Sequence, residues 1–308
     1  MGKKKLVLEK EERITTGTTR YKDLKYLLVT IDELVRENVP FSRIYTLDGD
    51  ETGSIDVDWM ACSATVCYAP EERFIALAQC GGQILRIGGG ETEFESLADC
   101  QKGFKRKPGL MREVRCIAGG RAYAVGIGRQ VYRRDSAGVW KCIDEWSQVD
   151  SKKLVDYSFE SIDGFSDEDI YTAGWRGEIW HYNGKKWQQI DSPTSLSLHK
   201  VKCAPDGIVY ISGKDGILIK GRDKCWEILQ QAGTHEDIWG LEWFDGRLYA
   251  STLNQVYYIK DNDLKLVDFG ESDIPNSCYH LSAADGIMWS IGENSVAEFN
   301  GKKWQQIV

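Results

Sequence analysis

The chain has 308 residues, of which 42% are hydrophobic and 28% are charged, and its formal net charge at neutral pH is −8. An acidic chain lacks the basic face that phosphate contacts need, so we expect no nucleic-acid binding. The nine cysteines contain no Cys-x-x-Cys pair, and the four histidines show no metal-ligand spacing. We therefore expect neither a metal site nor a cofactor.

The cysteine thiols and the first residues of the chain predict the cellular compartment of the protein. Met1 to Leu6 carries charge but is followed by no apolar signal region, and no run of 18 apolar residues exists that would span a membrane. Scattered free thiols suit a reducing environment. The sequence therefore predicts a cytoplasmic protein that makes no membrane contact.

The first sixty residues match the later repeat only in part. Between Tyr21 and Asn38 apolar residues recur at helical spacing, which predicts a helix over about 20–38. Segments 43–47 and 54–59 then read as a hairpin that resembles the last two strands of a propeller blade. We interpret residues 1–60 as an irregular first blade with an inserted helix; an N-terminal appendage to six blades is the alternative.

From residue 61 onward a pattern returns six times, about every 40 residues. Its clearest marker is an aromatic residue before a Gly-bounded turn: Tyr171, Tyr210, Tyr249 and Trp289, at intervals of 39, 39 and 40 residues. An Asp-Gly or similar turn precedes this strand, and two further tight turns follow it. Four short antiparallel strands in each copy are the signature of a propeller blade.

The predicted fold is all-β: a single β-propeller, with seven four-stranded blades favoured over six. Since the last copy has a complete fourth strand, ring closure needs no strand from the N-terminus. Large rings on the fourth strands, such as Trp140, Trp187, Trp226 and Trp304, are expected to fill the gaps between blades. The six repeats are placed at about 61–100, 111–146, 157–191, 198–231, 236–269 and 276–308.

Residues 169–190 show an Ile-Tyr, Gly, Gly and Trp pattern that resembles the degenerate repeats of bacterial β-propeller proteins. The resemblance covers about 62–308 and implies a fold more than a function. The Gly-Lys-Lys-Trp tails at 184–187 and 301–304 are similar to the end of the aspartate box of sialidase-like propellers. Tyr182 and Phe299 replace the Asp of that box, and no arginine cluster is identifiable, which disfavours sialidase activity. The tryptophan–aspartate and kelch signatures are missing.

The turns between second and third strands are predicted to form the ligand face near the axis. They differ in charge from copy to copy, which favours one asymmetric surface over repeated sugar pockets. Trp175 beside Arg176 has the composition of a hot spot for a protein partner. The candidate contact residues are Gln79, Arg129, Trp175, Arg176, Lys214, Asp215, Asn254, Glu293 and Asn294.

The opposite face collects the turns between first and second strands and is predicted to be acidic. Its field would steer a basic partner. The residues of this predicted acidic face are Glu71, Glu72, Asp167, Glu168, Asp169, Asp206, Asp245 and Asp285.

No nucleophile, base and orienting group follow a known catalytic motif, so the chain reads as a non-enzyme. The leading hypothesis is a monomeric, cytoplasmic propeller that binds one macromolecular partner, a protein. One concrete form is an immunity protein that neutralises a toxin in bacterial competition, since such proteins are often acidic and lack catalytic motifs. The alternatives are a carbohydrate-active enzyme or a glycan-binding lectin with its site in the axial cleft.

Overall fold

The structure is a computed structural model that describes residues 6–99, 107–145, 149–229, 234–270, 275 and 277–308. In these residues 28 strands form seven antiparallel sheets, and every sheet consists of four strands that are consecutive in the chain. The seven four-stranded sheets favoured from the sequence are thereby confirmed. Contacts divide the chain into two compact units: unit 1 is 1–61 with 230–308, and unit 2 is 62–229.

Unit 2 holds four sheets with short 3-10 turns between some of their strands. Sheet 2 comprises β5 (Ala61–Cys67), β6 (Arg73–Ala78), β7 (Gln83–Gly88) and β8 (Glu91–Ser96). Sheet 3 comprises β9 (Met111–Cys116), β10 (Ala122–Gly126), β11 (Gln130–Ser136) and β12 (Val139–Cys142). Sheet 4 comprises β13 (Phe159–Ser166), β14 (Asp169–Gly174), β15 (Ile179–Tyr182) and β16 (Trp187–Ile190). Sheet 5 comprises β17 (Leu198–Cys203), β18 (Val209–Gly213), β19 (Leu218–Arg222) and β20 (Cys225–Ile228).

Unit 1 holds the N-terminal sheet and the last two sheets. Sheet 1 comprises β1 (Glu12–Thr19), β2 (Leu24–Ile31), β3 (Ser42–Asp48) and β4 (Glu51–Val57), with the short helix α1 (Asp32–Arg36) between β2 and β3. Sheet 6 comprises β21 (Gly240–Phe244), β22 (Arg247–Ser251), β23 (Val256–Lys260) and β24 (Asp263–Leu266). Sheet 7 comprises β25 (His280–Ala284), β26 (Ile287–Ile291), β27 (Val296–Phe299) and β28 (Trp304–Gln306).

The helix predicted over about 20–38 is not found. Residues 24–31 form β2, which pairs with β1 on one side and β3 on the other, and only the five residues of α1 are helical. The error has a physical cause: residues 25–29 are buried on both faces of the strand, so the alternation that marks a half-buried strand is absent. Apolar residues at 24, 27, 28 and 31 then imitate a helical stripe.

The glycine that ends the second strand of several repeats is required by a close approach of backbone. A Cβ on Gly174 would lie 1.8 Å from the carbonyl oxygen of Ser158, and one on Gly213 would lie 2.2 Å from that of Ser197. Gly292 of sheet 7 meets the same crowding. In sheets 4 and 5 the pairing of the first two strands also shifts at this point, which marks a β-bulge. The recurring glycine of the sequence pattern is therefore a packing requirement of each sheet.

Neighbouring sheets within a unit are joined at their first strands by polar side chains. In unit 2, Ser161 Oγ of β13 accepts a hydrogen bond from the Val201 backbone N–H of β17 at 3.0 Å, and Asp163 accepts one from Cys203 at 2.9 Å. In unit 1, Ser282 Oγ of β25 accepts a bond from the backbone N–H of Thr19 at 3.0 Å. These side chains satisfy donors on the free edges of the first strands, which would otherwise be open to pairing with another chain.

The fourth-strand tryptophans pack toward the preceding sheet. Trp140 Nε1 donates to Glu95 of sheet 2 at 2.8 Å, and Trp187 Nε1 donates to the Ile143 carbonyl at 2.8 Å. Trp226 is only half-buried, yet its ring lies 5.9 Å from that of Tyr171 in sheet 4. Burial of large rings between sheets is where a repeat architecture gains its stability.

Candidate functional site

Each sheet has two different ends, because its four antiparallel strands follow one another in chain order. One end carries the turn between the second and third strands, and the connection from the preceding sheet also enters there. We call it the second-turn end. The other end, with the remaining two turns, is the first-turn end. Large apolar side chains exposed in the described loops and in α1 are concentrated at second-turn ends. They are Val35, Val39, Met60, Leu110, Val155, Trp239 and Leu253 at second-turn ends, against Tyr21 and Tyr68 at first-turn ends; Val7 lies on the segment before β1.

Unit 2 places an arginine–aromatic cluster at its second-turn ends, defined by Arg112, Arg129, Tyr157, Trp175 and Arg176. The Trp175 ring is half-buried and has the Arg112 guanidinium 5.4 Å from its centre. The Tyr157 ring has two guanidinium groups close to it, from Arg129 at 4.2 Å and from Arg176 at 5.4 Å. Such contacts hold flat rings and cations in fixed places at the surface.

The turn that carries Trp175 and Arg176 has a constrained backbone. Residues 175–177 form one 3-10 turn in which Arg176 takes a left-handed conformation, with φ at 63°. Gly177 follows with φ at 71°, and a Cβ there would lie 2.1 Å from the Thr194 carbonyl oxygen. The neighbouring connection therefore presses against this turn, and the side chain of Arg176 is directed outward and exposed.

Arg129 lies on the turn between β10 and β11, and its side chain is paired with a carboxylate of sheet 4. Its guanidinium makes two hydrogen bonds with the carboxylate of Glu178, with Nε 2.7 Å from Oε2, and only 13% of its side chain is exposed. It also lies 5.0 Å from the Trp180 ring. Arg129 therefore joins the turns of sheets 3 and 4 and supports the Tyr157 ring from beneath.

Arg112 is anchored in the same manner. Its Nε lies 3.3 Å from the carboxylate of Glu160, which is mostly buried. Burial raises the pKa of Glu160, against the opposing effect of the Arg112 charge. The ring of Trp175 is thus held over a salt bridge whose two partners are themselves confined.

The other predicted contact residues also lie at second-turn ends. In unit 2, Lys214 and Asp215 are exposed on the turn after β18, and Gln79 follows β6. In unit 1, Asn254, Glu293 and Asn294 are exposed on the turns after β22 and β26. Of these, Glu293 has a charged neighbour in Arg13, at 3.7 Å. The structure brings Trp175, Arg176 and Arg129 together around Tyr157; it shows no such cluster for the others.

The sequence pattern did not predict four residues at the second-turn ends of sheets 3 and 4: Leu110, Arg112, Val155 and Tyr157. All of them belong to connections between sheets or to the first residues of a first strand. The signal that would have found them is topological, because a connection enters a sheet at the same end as the turn between its second and third strands.

In unit 2, three residues of the predicted acidic face form salt bridges: Glu71, Asp167 and Asp169. Glu71 lies within 2.9 Å of both Arg73 and Arg86. Asp167 accepts from Arg121 at 2.9 Å. Asp169 is bonded to His181 and Arg222, Asp206 accepts a hydrogen bond from the Tyr210 hydroxyl, and Glu168 is exposed. Glu72 is half-buried beside this set. In unit 1, Asp285 accepts a hydrogen bond from the Lys22 backbone N–H, and Asp245 is exposed.

No group of three or more His, Cys, Asp or Glu side chains able to hold a metal occurs in the part of the chain that the structure describes. His181 is bonded to Asp169 at 2.9 Å, and its ring stacks on that of Tyr171 at 4.5 Å. No helix among the described residues is both long and apolar enough to cross a membrane.

No family model matches the sequence. The chain is similar, however, to the immune protein Tsi7 of Pseudomonas aeruginosa. The two are 40% identical over 299 residues, which is 95% of this chain and 96% of Tsi7. The chain belongs to the Tsi7 family.

Solved structures give the fold. The structure of YCF48 bound to D1 peptide matches with a TM-score of 0.66 at 13% identity, covering 96% of this chain and 93% of that one. YCF48 from Cyanidioschyzon merolae gives 0.67 at 12% identity, with 95% and 96% covered. The WD40 β-propeller domain of Doa1 gives 0.62 at 10% identity, with 97% of both chains covered. The Tsi7 family member is therefore a seven-bladed β-propeller with four-stranded blades.

Proposed function

We propose that the protein is an immunity protein that neutralises a bacterial toxin by binding it, and that the arginine–aromatic cluster of unit 2 is a centre of that contact. The observation that carries the proposal is the 40% identity with the immune protein Tsi7 over nearly the whole of both chains. A propeller gives such a protein a rigid scaffold, and the function then depends on the surface residues rather than on the fold.

The cluster has the composition and the rigidity of a binding hot spot. Trp, Tyr and Arg are the residues most enriched at such sites. Trp175 and Tyr157 are held by guanidinium groups that carboxylates fix in turn, so little side-chain freedom is lost when a partner binds. Leu110 and Val155 expose apolar surface on the entering connections of the same sheets. A protein surface with matching apolar and acidic groups fits this arrangement.

The partner is proposed to be a single protein toxin, bound by a monomer in the cytoplasm. Eight cysteines of the described residues are free thiols, and this supports a reducing compartment. The net charge of −8 argues against nucleic acid as the partner.

The test uses the candidate toxin encoded beside this chain's gene, in a catalytically inactive form for binding and an active form for growth protection. The variant combines Trp175→Ala with Arg176→Asn, because Asn tolerates the left-handed backbone at that position. We expect a loss of about 2–4 kcal/mol in binding, which is roughly 30-fold or more in affinity. Protection of cells that express the active toxin should fall in parallel.

The matched control is Arg20→Ala with Tyr21→Ala, an arginine–aromatic pair at a first-turn end in which Arg20 is half-buried, Tyr21 is exposed and the guanidinium lies 5.5 Å from the ring centre. This variant should bind as wild type does. Equal affinity in wild type and in the Trp175/Arg176 variant, with both folded by thermal unfolding, would remove the cluster from the contact. Absence of any binding or protection by the wild-type chain would reject the immunity function for that toxin.

A further inference from the structure

Unit 1 contains an open cleft of about 880 Å³ between sheets 6 and 7, far along the chain from the arginine–aromatic cluster. Aromatic rings form its wall. Phe299 and Trp304 are stacked with their centres 4.9 Å apart, and Tyr249 lies 6.3 Å from Phe299. Tyr258 continues the wall at 6.4 Å from Tyr249. The cleft is of the size that encloses a small ligand or a few residues of peptide.

Three cations stand at the edge of this wall: Arg247, Lys302 and Lys303. All three are exposed, and the Arg247 guanidinium lies 5.4 Å from the Tyr258 ring centre. None of them forms a salt bridge with a carboxylate among the residues that the structure describes. Asp268 is the one acidic residue among those lining the cleft, and its side chain accepts a hydrogen bond from the Gly270 backbone N–H. The described lining of the cleft therefore carries three cations and one carboxylate, in a chain whose net charge is −8.

The corresponding place between sheets 3 and 4 shows that these cations are not a general need of the repeat. Arg121 directly precedes β10, two residues before Tyr123, as Arg247 stands two residues before Tyr249, but Arg121 lies 2.9 Å from Asp167 and 3.5 Å from Asp135. In sheet 7 the residue in the place of Asp167 is Asp285, and it accepts a bond from the Lys22 backbone N–H at 3.0 Å. Among the described residues, Asp285 is thus bonded to a backbone group and forms no salt bridge with Arg247, unlike Asp167 with Arg121.

We propose that this cleft binds an acidic segment of a partner protein that carries an aromatic or large aliphatic side chain. Carboxylates of the segment would pair with Lys302, Lys303 and Arg247, and its apolar side chain would lie against Phe299 and Trp304. Three cations in one cleft suit a short acidic segment. A nucleic-acid strand needs a longer basic track than an acidic protein of this kind offers. The site is separate from the proposed toxin contact and does not depend on it.

The sequence supplies a matched control for the lysines. The hexapeptide Lys-Lys-Trp-Gln-Gln-Ile occurs at 185–190 and again at 302–307. In the first copy, Trp187 is buried and donates to the Ile143 carbonyl. Lys302→Glu with Lys303→Glu and Lys185→Glu with Lys186→Glu therefore make the same change in net charge and in local sequence, at two different places.

The experiment titrates three acetylated hexapeptides into the full chain by calorimetry at low salt: DEFDLE, its apolar-deleted form DEADAE, and the charge-reversed KKFKLK. We expect DEFDLE to bind wild type, with affinity at least about tenfold weaker in the Lys302/Lys303 variant and within about twofold of wild type in the Lys185/Lys186 variant. DEADAE should bind more weakly than DEFDLE, and KKFKLK should not compete.

Three outcomes would overturn the proposal. The first is no binding of DEFDLE to wild type. The second is an equal loss in both double variants, since that would show only the long-range effect of net charge. The third is tighter binding of a thymidine hexanucleotide than of DEFDLE, because the cleft would then recognise phosphates.

Discussion

Glu95 and Arg134 form a buried ion pair between sheets 2 and 3 whose removal should destabilise the protein strongly. Arg134 is fully buried and Glu95 is 2% exposed at its side chain. Two hydrogen bonds join them, at 2.8 and 3.1 Å, and Trp140 Nε1 donates a third to Glu95 at 2.8 Å. Burial alone would raise the pKa of Glu95, but the hydrogen bonds and charge of Arg134 lower it overall.

The perturbation is Glu95→Gln, which keeps the size of the side chain and removes its charge. Among the described residues, Arg134 would then keep Glu71, at 3.3 Å, as an opposite charge, and Arg86 would lose a carboxylate at 3.3 Å. Breaking one side of a buried pair costs about 3–5 kcal/mol, and because Glu71 remains we expect about 3 kcal/mol. The double variant Glu95→Gln with Arg134→Met removes the unpaired charge and should be less destabilised than the sum of its single changes.

Urea unfolding at pH 7, followed by circular dichroism, measures this loss as a lower midpoint at an unchanged slope. The pH dependence of the free energy of unfolding provides a second measurement. Since the folded-state pKa of Glu95 is depressed, its contribution is present above the unfolded value of about 4.3 and is lost as pH falls through the folded one. The gap between wild type and Glu95→Gln should therefore narrow below about pH 4. A free energy of unfolding of Glu95→Gln within about 0.5 kcal/mol of the wild-type value at pH 7 would refute the buried-pair argument.

Two substitutions and one labelling experiment test the packing. Gly174→Ala puts a methyl group against the Ser158 carbonyl and should lower the free energy of unfolding by about 1–3 kcal/mol in a thermal-unfolding series. A neutral result would contradict the close approach. Trp187→Ala should cost about 3–5 kcal/mol, because the ring is buried between sheets. Burial raises the pKa of Cys62 to about 12, so at pH 8 iodoacetamide should modify exposed Cys80 first, as read by peptide mass spectrometry; faster modification of Cys62 would contradict its burial.

The fold was predictable because the repeat carries its information redundantly. Each copy repeats the same turn residues and the same aromatic position, so an error in one copy is corrected by the others. The N-terminal sheet had no such support: β2 is buried on both faces, and its apolar residues alone cannot distinguish a helix from a central strand. Its pairing with β1 and β3 decides the matter, and that information lies outside the segment.

The candidate surface was predictable only in its turns. Trp175 and Arg176 were found because they interrupt a recognisable pattern, whereas Tyr157 and Arg112 lie in or beside irregular connections that no pattern marks. The sequence also could not show that Arg129 is bound to Glu178, since the two belong to different repeats, 49 residues apart. Charges on different copies pair by three-dimensional proximity, as Arg222 does with Asp169, 53 residues away.

Stability and recognition depend on different parts of each sheet. The glycine at the end of a second strand and the polar side chains that link first strands are fixed by backbone contacts of the fold. Arg176 is exposed and Trp175 is half-buried beside Arg112, and their turn conformation is imposed by the neighbouring backbone at Gly174 and Gly177. Replacing both side chains should leave these backbone contacts intact, although it removes the packing of Trp175 on Arg112. That is why a folded variant with lost affinity can separate the role of this surface from that of the scaffold.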